Sequence, residues 1–344
     1  AERIRAVLAG RADLDERITP IWRPVTYVDE GGWIEKLRFL PSGMRGSIRG
    51  RLQVRRAIRE IDADACLYMT QTPAALGGKL VLKSPFVIMV DDTPRLFDRM
   101  AAHYDSPPDR FRALRWFKHR ANVTVFRAAR TVLPMSEWAG RSLVDDYGVQ
   151  PGRIRVAPTG IDLSVCKPCE RSDDGPMRVL FVGGHVARKG GPELLDAFDR
   201  LDPRSVELHL VTRDDVAARD CVHVHTMQPN SPELIELYRS CDVFVLPSFG
   251  EAFPNVVVEA HAAGLACIVT NVGGMAEMVV EGETGFVIDP GDVDALAGAL
   301  KRLANDPDER RRMGAAARAR AEQLYDGRSN AARVVDDLLA AINR

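Results

Sequence analysis

Apolar runs closed by glycine, proline or a polar turn alternate with stretches of helical spacing through residues 177–292. MRVLFVGG (177–184), VELHLVT (206–212), VHVHTM (222–227), CDVFVLPS (241–248), ACIVTNVGG (266–274) and FVIDPGD (286–292) predict strands. GPELLDAFDRL (191–201), SPELIELYRS (231–240) and PNVVVEAHAAG (254–264) predict the helices between them. Ser231 is placed to cap its helix, with Pro232 in the first turn. Pro254 opens the last of these helices and Gly264 closes it. Most of the strands are apolar at nearly every position rather than at alternate ones. Both faces of the sheet are therefore covered, which predicts an α/β, doubly wound, Rossmann-like domain with a parallel sheet.

The first half repeats the pattern less cleanly. Segments 18–29, 64–71, 85–92, 131–136 and 153–160 read as strands, and 43–60, 108–129 and 137–147 as helices. A Rossmann-like domain normally opens on a strand and a glycine turn. This chain opens on a predicted helix, 2–10, so the first strand has no counterpart in the sequence. The polar segment 163–177 carries proline and glycine and reads as a linker. The expected organisation is one Rossmann-like unit over 1–163, a second over 164–326, and a helix over 327–344 packing back on the first. That helix places Val334, Val335, Leu338, Leu339 and Ile342 along one side.

Composition narrows the class. No apolar run reaches the ~18–20 residues that span a bilayer, because Lys83, Ser84 and Pro85 interrupt the longest. The opening residues are charged and show no secretory leader. Cys66, Cys241 and Cys267 lie in or beside strand-like runs and read as reduced, buried thiols. Cys166 and Cys169 have CxxC spacing but no second ligand pair, which argues against zinc there. A reducing, cytoplasmic setting fits this usage. Residues 1–162 hold 27 basic and 19 acidic side chains, and the remainder 20 and 29. The net charges are about +8 and −9, so the two halves face different partners. Arginines cluster in 44–59 and 110–130. They form either a solvated face or a surface for an anionic acceptor or an acidic membrane. Nucleic-acid motifs are absent.

The chemistry concentrates in Leu246–Glu259. A buried strand ends at Ser248, a turn carries Gly250 and Glu251, and a helix starts near Pro254. Its free amides and positive dipole end suit a phosphate. Glu251 and Glu259 suit hydroxyl pairs, since carboxylates accept hydrogen bonds from them. A second segment, Phe181–Gly191, follows a strand and precedes a helix. Gly183 and Gly184 permit close approach of a ligand, and Arg188 and Lys189 supply two cations. A third runs from Ala129 to Asp162, with Ser136 as a helix cap and Thr159-Gly160 before the linker.

In these three segments the sequence resembles glycosyltransferase family 4, whose central motif is Glu-x7-Glu, here Glu251 to Glu259. The resemblance implies the GT-B fold, two Rossmann-like domains facing a cleft. It implies a retaining, metal-independent transfer of a hexose from a UDP- or GDP-sugar to a saccharide, lipid or small-molecule hydroxyl. Arg188 and Lys189 would steady the leaving diphosphate, Glu251 would hold the sugar, and Glu259 the ribose. The donor would further lie against Gly183, Gly184, Gly250, Ala252, Phe253, Pro254, Asn255 and Val256, with Thr212 and Met227 by the base. No cofactor and no metal are expected. Lys189-Gly190 matches the family's Lys-Gly. The family's arginine after the first glycine is replaced by Gly184, and a donor-contacting histidine by Asp91. Asp91 or Asp92 would bond a hydroxyl, or cap the helix that begins at Thr93-Pro94. A sugar-nucleotide epimerase and a non-catalytic nucleotide-sugar-binding protein are the alternatives.

Overall fold

The computed structural model describes Ile4, Val7 and Ile34 and residues 19–27, 42–104, 112–169, 175–217 and 219–342. The expected helix 2–10 and most of the linker's acidic run, 170–174, lie outside that set except for Ile4 and Val7. Along the chain run α1 (Ser42–Glu60), β1 (Cys66–Tyr68), α2 (Gln71–Gly77), β2 (Phe86–Val90), α3 (Pro94–Met100), α4 (Arg112–Ala128), β3 (Thr131–Pro134) and α5 (Glu137–Asp145). They continue through β4 (Met177–Val182), α6 (Gly191–Phe198), β5 (Val206–Val211), β6 (Val222–His225), α7 (Pro232–Ser240), β7 (Val243–Leu246), α8 (Asn255–Ala262), β8 (Ala266–Thr270) and β9 (Gly285–Ile288). The helices α9 (Val293–Asn305), α10 (Pro307–Leu324) and α11 (Gly327–Ile342) complete the set.

Two compact units result. One comprises residues 1–97, 108–157 and 331–344, the other 98–107 and 158–330. The division differs from the sequence boundary at 163 in two ways: the crossing falls at Pro158, and residues 98–107 belong with the second unit.

The first unit is built on a parallel sheet in the order β1-β2-β3. Strand β2, FVIMV, is buried at every position. Its side chains alternate between two cores, as the strand period requires. Phe86, Ile88 and Val90 join Val125, Phe126 and Leu143 on one face. Val87 and Met89 join Leu133, Val334, Val335 and Ala341 on the other. Helix α11 thus covers the second face together with Ile4 and Val7. Ile342, expected on its apolar side, is 45% exposed, and Ala341 takes the inward position in the last turn. Two expected strands do not form. Residues 19–27 have no regular structure, and 153–160 joins β3 through an isolated bridge from Ile154 to Val132 and through bonds from Arg155 N to Val132 O and from Ala157 N to Pro134 O, without becoming a strand. Pro20, Pro24 and Pro158 lack the amide that a ladder needs. Ser136 caps α5 as expected, accepting from the Ala139 amide at 3.2 Å.

The second unit holds a six-stranded parallel sheet in the order β6-β5-β4-β7-β8-β9. The chain winds outward from β4 to β6, then returns beside β4 with β7 and winds the other way. The strand order therefore reverses between β4 and β7, and the carboxyl ends of strands at such a reversal are where open α/β sheets bind ligands. Ser231 caps α7 by accepting from Leu234 N. Helices α9 and α10 are not among the sequence expectations, although Leu296, Leu300, Leu303 and Met313 bury them against the core.

Candidate functional site

Two loops straddle the reversal point: 183–190 after β4 and 247–254 after β7. They are zipped together by the backbone bond from Phe249 N to Arg188 O, 3.1 Å. Gly190 sits at φ +74°, and a Cβ there would lie 2.0 Å from the Pro247 carbonyl oxygen. Only glycine fits that left-handed, crowded position, which accounts for Lys189-Gly190.

The loops bring Arg188, Lys189, Gly250 and Glu251 together. Glu251 Oε1 accepts from Lys189 Nζ at 2.8 Å and from Arg188 Nη1 at 3.1 Å. The three side chains are only 17%, 13% and 11% exposed, for arginine, lysine and glutamate in turn. Arg188 Nη1 also donates to the Gly250 carbonyl at 2.7 Å. Two cations against one carboxylate leave the cluster with an excess positive charge. Gly183 serves Lys189 rather than only a ligand: a Cβ there would meet the lysine Cδ at 2.4 Å. Around Gly184 there is open space.

The turn bearing Glu251 is braced from β8. Gly273, at φ +59°, lies so close that a Cβ would stand 1.9 Å from the Glu251 carbonyl oxygen, and Gly274 N donates to Ala252 O at 2.9 Å. Just beyond, Pro254 precedes α8 with no side chain capping the helix. Asn255 is exposed, and its Oδ1 accepts from the Thr159 hydroxyl at 2.8 Å. The leading amides of α8 thus form an uncapped positive end. Phe253 packs edge-on against Tyr325.

Glu259 lies one turn inside α8, where its Oε2 accepts from the Tyr238 hydroxyl at 2.9 Å. Burial, then the Glu259 charge, push the Tyr238 phenol well above its ordinary pKa, so it stays a donor. The two glutamates therefore have different neighbours. Thr212 and Met227 follow the carboxyl ends of β5 and β6, on the same sheet edge as the loops. Thr212 is buried and its hydroxyl accepts from Asp214 N; Asp214 in turn accepts from Val186 N at 2.7 Å.

Sequence reading missed Tyr104. Its ring lies under the Arg188 guanidinium, 4.4 Å from Cζ to the ring centre, and its hydroxyl donates to Gly250 O at 3.0 Å. His103 stacks on Phe249 beside it. No motif announces this pair, since it follows α3 in sequence and reaches the loop only through the tertiary fold. Ser248 was likewise passed over, yet its hydroxyl accepts from Gly250 N at 3.3 Å.

Asp91 and Asp92 follow β2 in the first unit. The helix cap expected of an aspartate falls to Thr93, whose Oγ1 accepts from Leu96 N at 3.3 Å. Asp91 is exposed and bonds the amide of Asp92. Burial, and then the neighbouring Asp91 charge, raise the Asp92 carboxyl to about 7.

Two family models match in tandem: "Glycosyltransferase Family 4" over residues 16–165 and "Glycosyl transferases group 1" over 167–320. The chain belongs to glycosyltransferase family 4. Among curated relatives, the D-inositol 3-phosphate glycosyltransferase of Pseudarthrobacter chlorophenolicus is 33% identical over 63% of this chain and 57% of its own length. The MMP alpha-(1->4)-mannosyltransferase of Mycolicibacterium hassiacum is 32% identical over 64% and 56%. The chain thus spans a little over half the length of these relatives. Among solved structures, the sucrose-phosphate synthase of Thermosynechococcus elongatus aligns at a TM-score of 0.69 with 21% identity, covering 92% of this chain and 82% of that one. WaaG, a glycosyltransferase involved in lipopolysaccharide biosynthesis, aligns at 0.67 with 19% identity over 98% and 94%. The family 4 chain has the GT-B fold that these structures share.

Proposed function

We propose that this family 4 protein is a retaining hexosyltransferase that binds a UDP- or GDP-sugar across the β4–β7 reversal point. The observation that carries the reading is the cluster of Lys189, Arg188 and Glu251 at that point, close in sequence to an uncapped helix end. A departing diphosphate is a dianion or more. Two cations and a helix dipole oppose that charge where it develops, which is a large catalytic term in such sites. Glu251 keeps both cations in place before the donor arrives and turns its carboxylate to the sugar hydroxyls. Glu259, steadied by Tyr238, receives the ribose diol. Donor contacts extend to Gly184, Gly250, Ala252, Phe253, Asn255 and Val256, and Thr212 and Met227 border the base. Asp91 contributes a carboxylate toward sugar or acceptor. Retention proceeds by same-face attack, without a covalent intermediate on the protein.

Because protein cations meet the diphosphate, transfer needs no metal. The acceptor is a saccharide, lipid or small-molecule hydroxyl, and a phosphorylated polyol is included because one relative's name specifies inositol 3-phosphate. The six cysteines are free, which fits a reducing compartment, the cytoplasm. Among the described residues no helix is long and apolar enough to cross a membrane. On α4, Trp116 and Phe117 are 61% and 63% exposed beside Arg115, Lys118 and Arg120, which supports a peripheral contact with an anionic membrane face.

Labelled UDP- and GDP-hexoses, incubated with and without each acceptor class and with EDTA, test the reading. Acceptor-dependent transfer that survives EDTA is expected. Donor turnover without acceptor would identify an epimerase, and nucleotide binding without turnover a binding protein.

A further inference from the structure

Strands β5 and β6 carry a second polar cluster that the donor site does not use. Glu207 and His209 are two apart on β5 and so share a face. His223, on the edge strand β6, is the Cα partner of His209 in the parallel ladder, and His225 is two further on. His209 Nε2 lies 3.2 Å from Glu207 Oε1, and His223 Nε2 lies 3.9 Å from Glu207 Oε2. One ligand atom from each of the three residues falls within 4.8 Å of the others. A tetrahedral zinc with bonds of ~2.0–2.2 Å sets its ligands about 3.4 Å apart. The two separations to the carboxylate bracket that value.

The remaining nitrogen of His209 is also placed. Its Nδ1 lies 3.0 Å from His225 Nε2, and the two ring planes are within 12° of parallel. With the proton on Nδ1 and donated to His225, the His209 Nε2 lone pair turns toward Glu207 and His223. Imidazoles that ligate metals are held in this way by an outer hydrogen-bond partner. A guanidinium lies in the same corner: Arg178 Nε donates to Glu207 Oε1 at 2.6 Å, and Nη2 is 3.3 Å from His209 Nε2. Its Nη1 is bonded separately to the Ser240 carbonyl, 3.1 Å away, which retains the side chain when its other contacts are given up. Glu207 thus presents its carboxylate to a cation in either state.

We infer that Glu207, His209 and His223 bind a divalent transition-metal ion of the zinc class, with His225 fixing the His209 tautomer. Two imidazoles and a carboxylate are the borderline donors such an ion prefers. The ion would fasten the outermost strand, β6, to β5 through side chains as well as backbone. It takes no part in the transfer reaction proposed above, so the two readings stand or fall separately.

The test titrates the whole, EDTA-stripped and dialysed chain with zinc chloride by calorimetry, and repeats it with cobalt(II) by absorption. One equivalent of zinc is expected, with a rise in the thermal midpoint. His223→Ala, at a half-exposed position, and Glu207→Gln should each weaken binding about tenfold or more, with secondary structure unchanged. Cys166→Ser and Cys169→Ser should leave it intact. Absence of saturable binding, or an affinity in His223→Ala and Glu207→Gln equal to that of the parent chain, would overturn the assignment. So would a thiolate-to-cobalt charge-transfer band.

Discussion

Lys189 Nζ and Arg188 Nη1 meet on a single oxygen of Glu251, at 2.8 and 3.1 Å, so the lysine and the glutamate are one working unit. Lys189→Ala and Glu251→Ala should each lower acceptor-dependent transfer by about a hundredfold or more. The double variant should lose less than the product of the two, because groups that act together are not additive. Near-normal turnover in either single variant would remove this cluster from the chemistry, and strictly multiplicative losses would separate its members.

Tyr104 offers a subtler probe. Tyr104→Phe keeps the ring under Arg188 and loses only the bond to the Gly250 carbonyl. Tyr104→Ala loses both. A cation–ring contact is worth ~0.5–2 kcal/mol, so the alanine variant should lose roughly tenfold in kcat/KM for the donor, and the phenylalanine variant only a few-fold. Equal losses in the two would show that the ring itself contributes nothing.

The Asp92 carboxyl, raised to about 7 by burial and by Asp91, holds its proton more tightly in the folded chain than in the unfolded one. Its contribution is therefore complete below about pH 4 and is lost as pH rises through 7. Asp92→Asn should abolish that loss. Denaturant melts at pH 5 and pH 8 should show the variant gaining on the parent at the higher pH. The ceiling is a few kcal/mol, at about 1.4 per pKa unit. A gain that is equal at both pH values would contradict the burial argument.

His261, fully buried on α8, has no hydrogen-bond partner for either ring nitrogen. Burial, and then Arg320, lower its pKa to about 3, so it is neutral in the fold. The unfolded chain takes up the proton first as pH falls below about 6.5, and stability declines from there toward 3. His261→Leu removes the unsatisfied nitrogens, each a penalty of ~1–3 kcal/mol when buried. The variant should melt higher at neutral pH and lose less on acidification. A lower melting point at both pH values would point to a packing role for the ring.

Much of this was legible before any coordinates. Strands such as CDVFVLPS and PFVIMVDD announce themselves because a doubly covered parallel strand must be apolar throughout. The loop carrying Arg188 and Lys189 was legible because glycines bracket it. What stayed hidden depends on contacts distant in sequence. Tyr104 reaches Gly250 across 146 positions. The zinc-class cluster comes from residues two apart on two neighbouring strands, a spacing that a strand pattern reads merely as alternation. Segment 153–160 has strand-like composition, but its pairing with β3 goes no further than Ala157, next to Pro158.

Helix α11 begins among residues of the second unit and ends by closing the core of the first, where Val334 and Val335 meet Val87, Met89 and Leu133. Translation order and folding order therefore cannot coincide. When the ribosome has finished residues 1–157, one face of the β1–β3 sheet has Ile4, Val7 and Trp22 against it but still lacks the part of its cover that α11 supplies, and lacks it until the whole second unit has been synthesised. Over that interval the nascent chain carries an open apolar surface. Chaperone demand and aggregation during expression should be set by how soon residues 331–342 emerge.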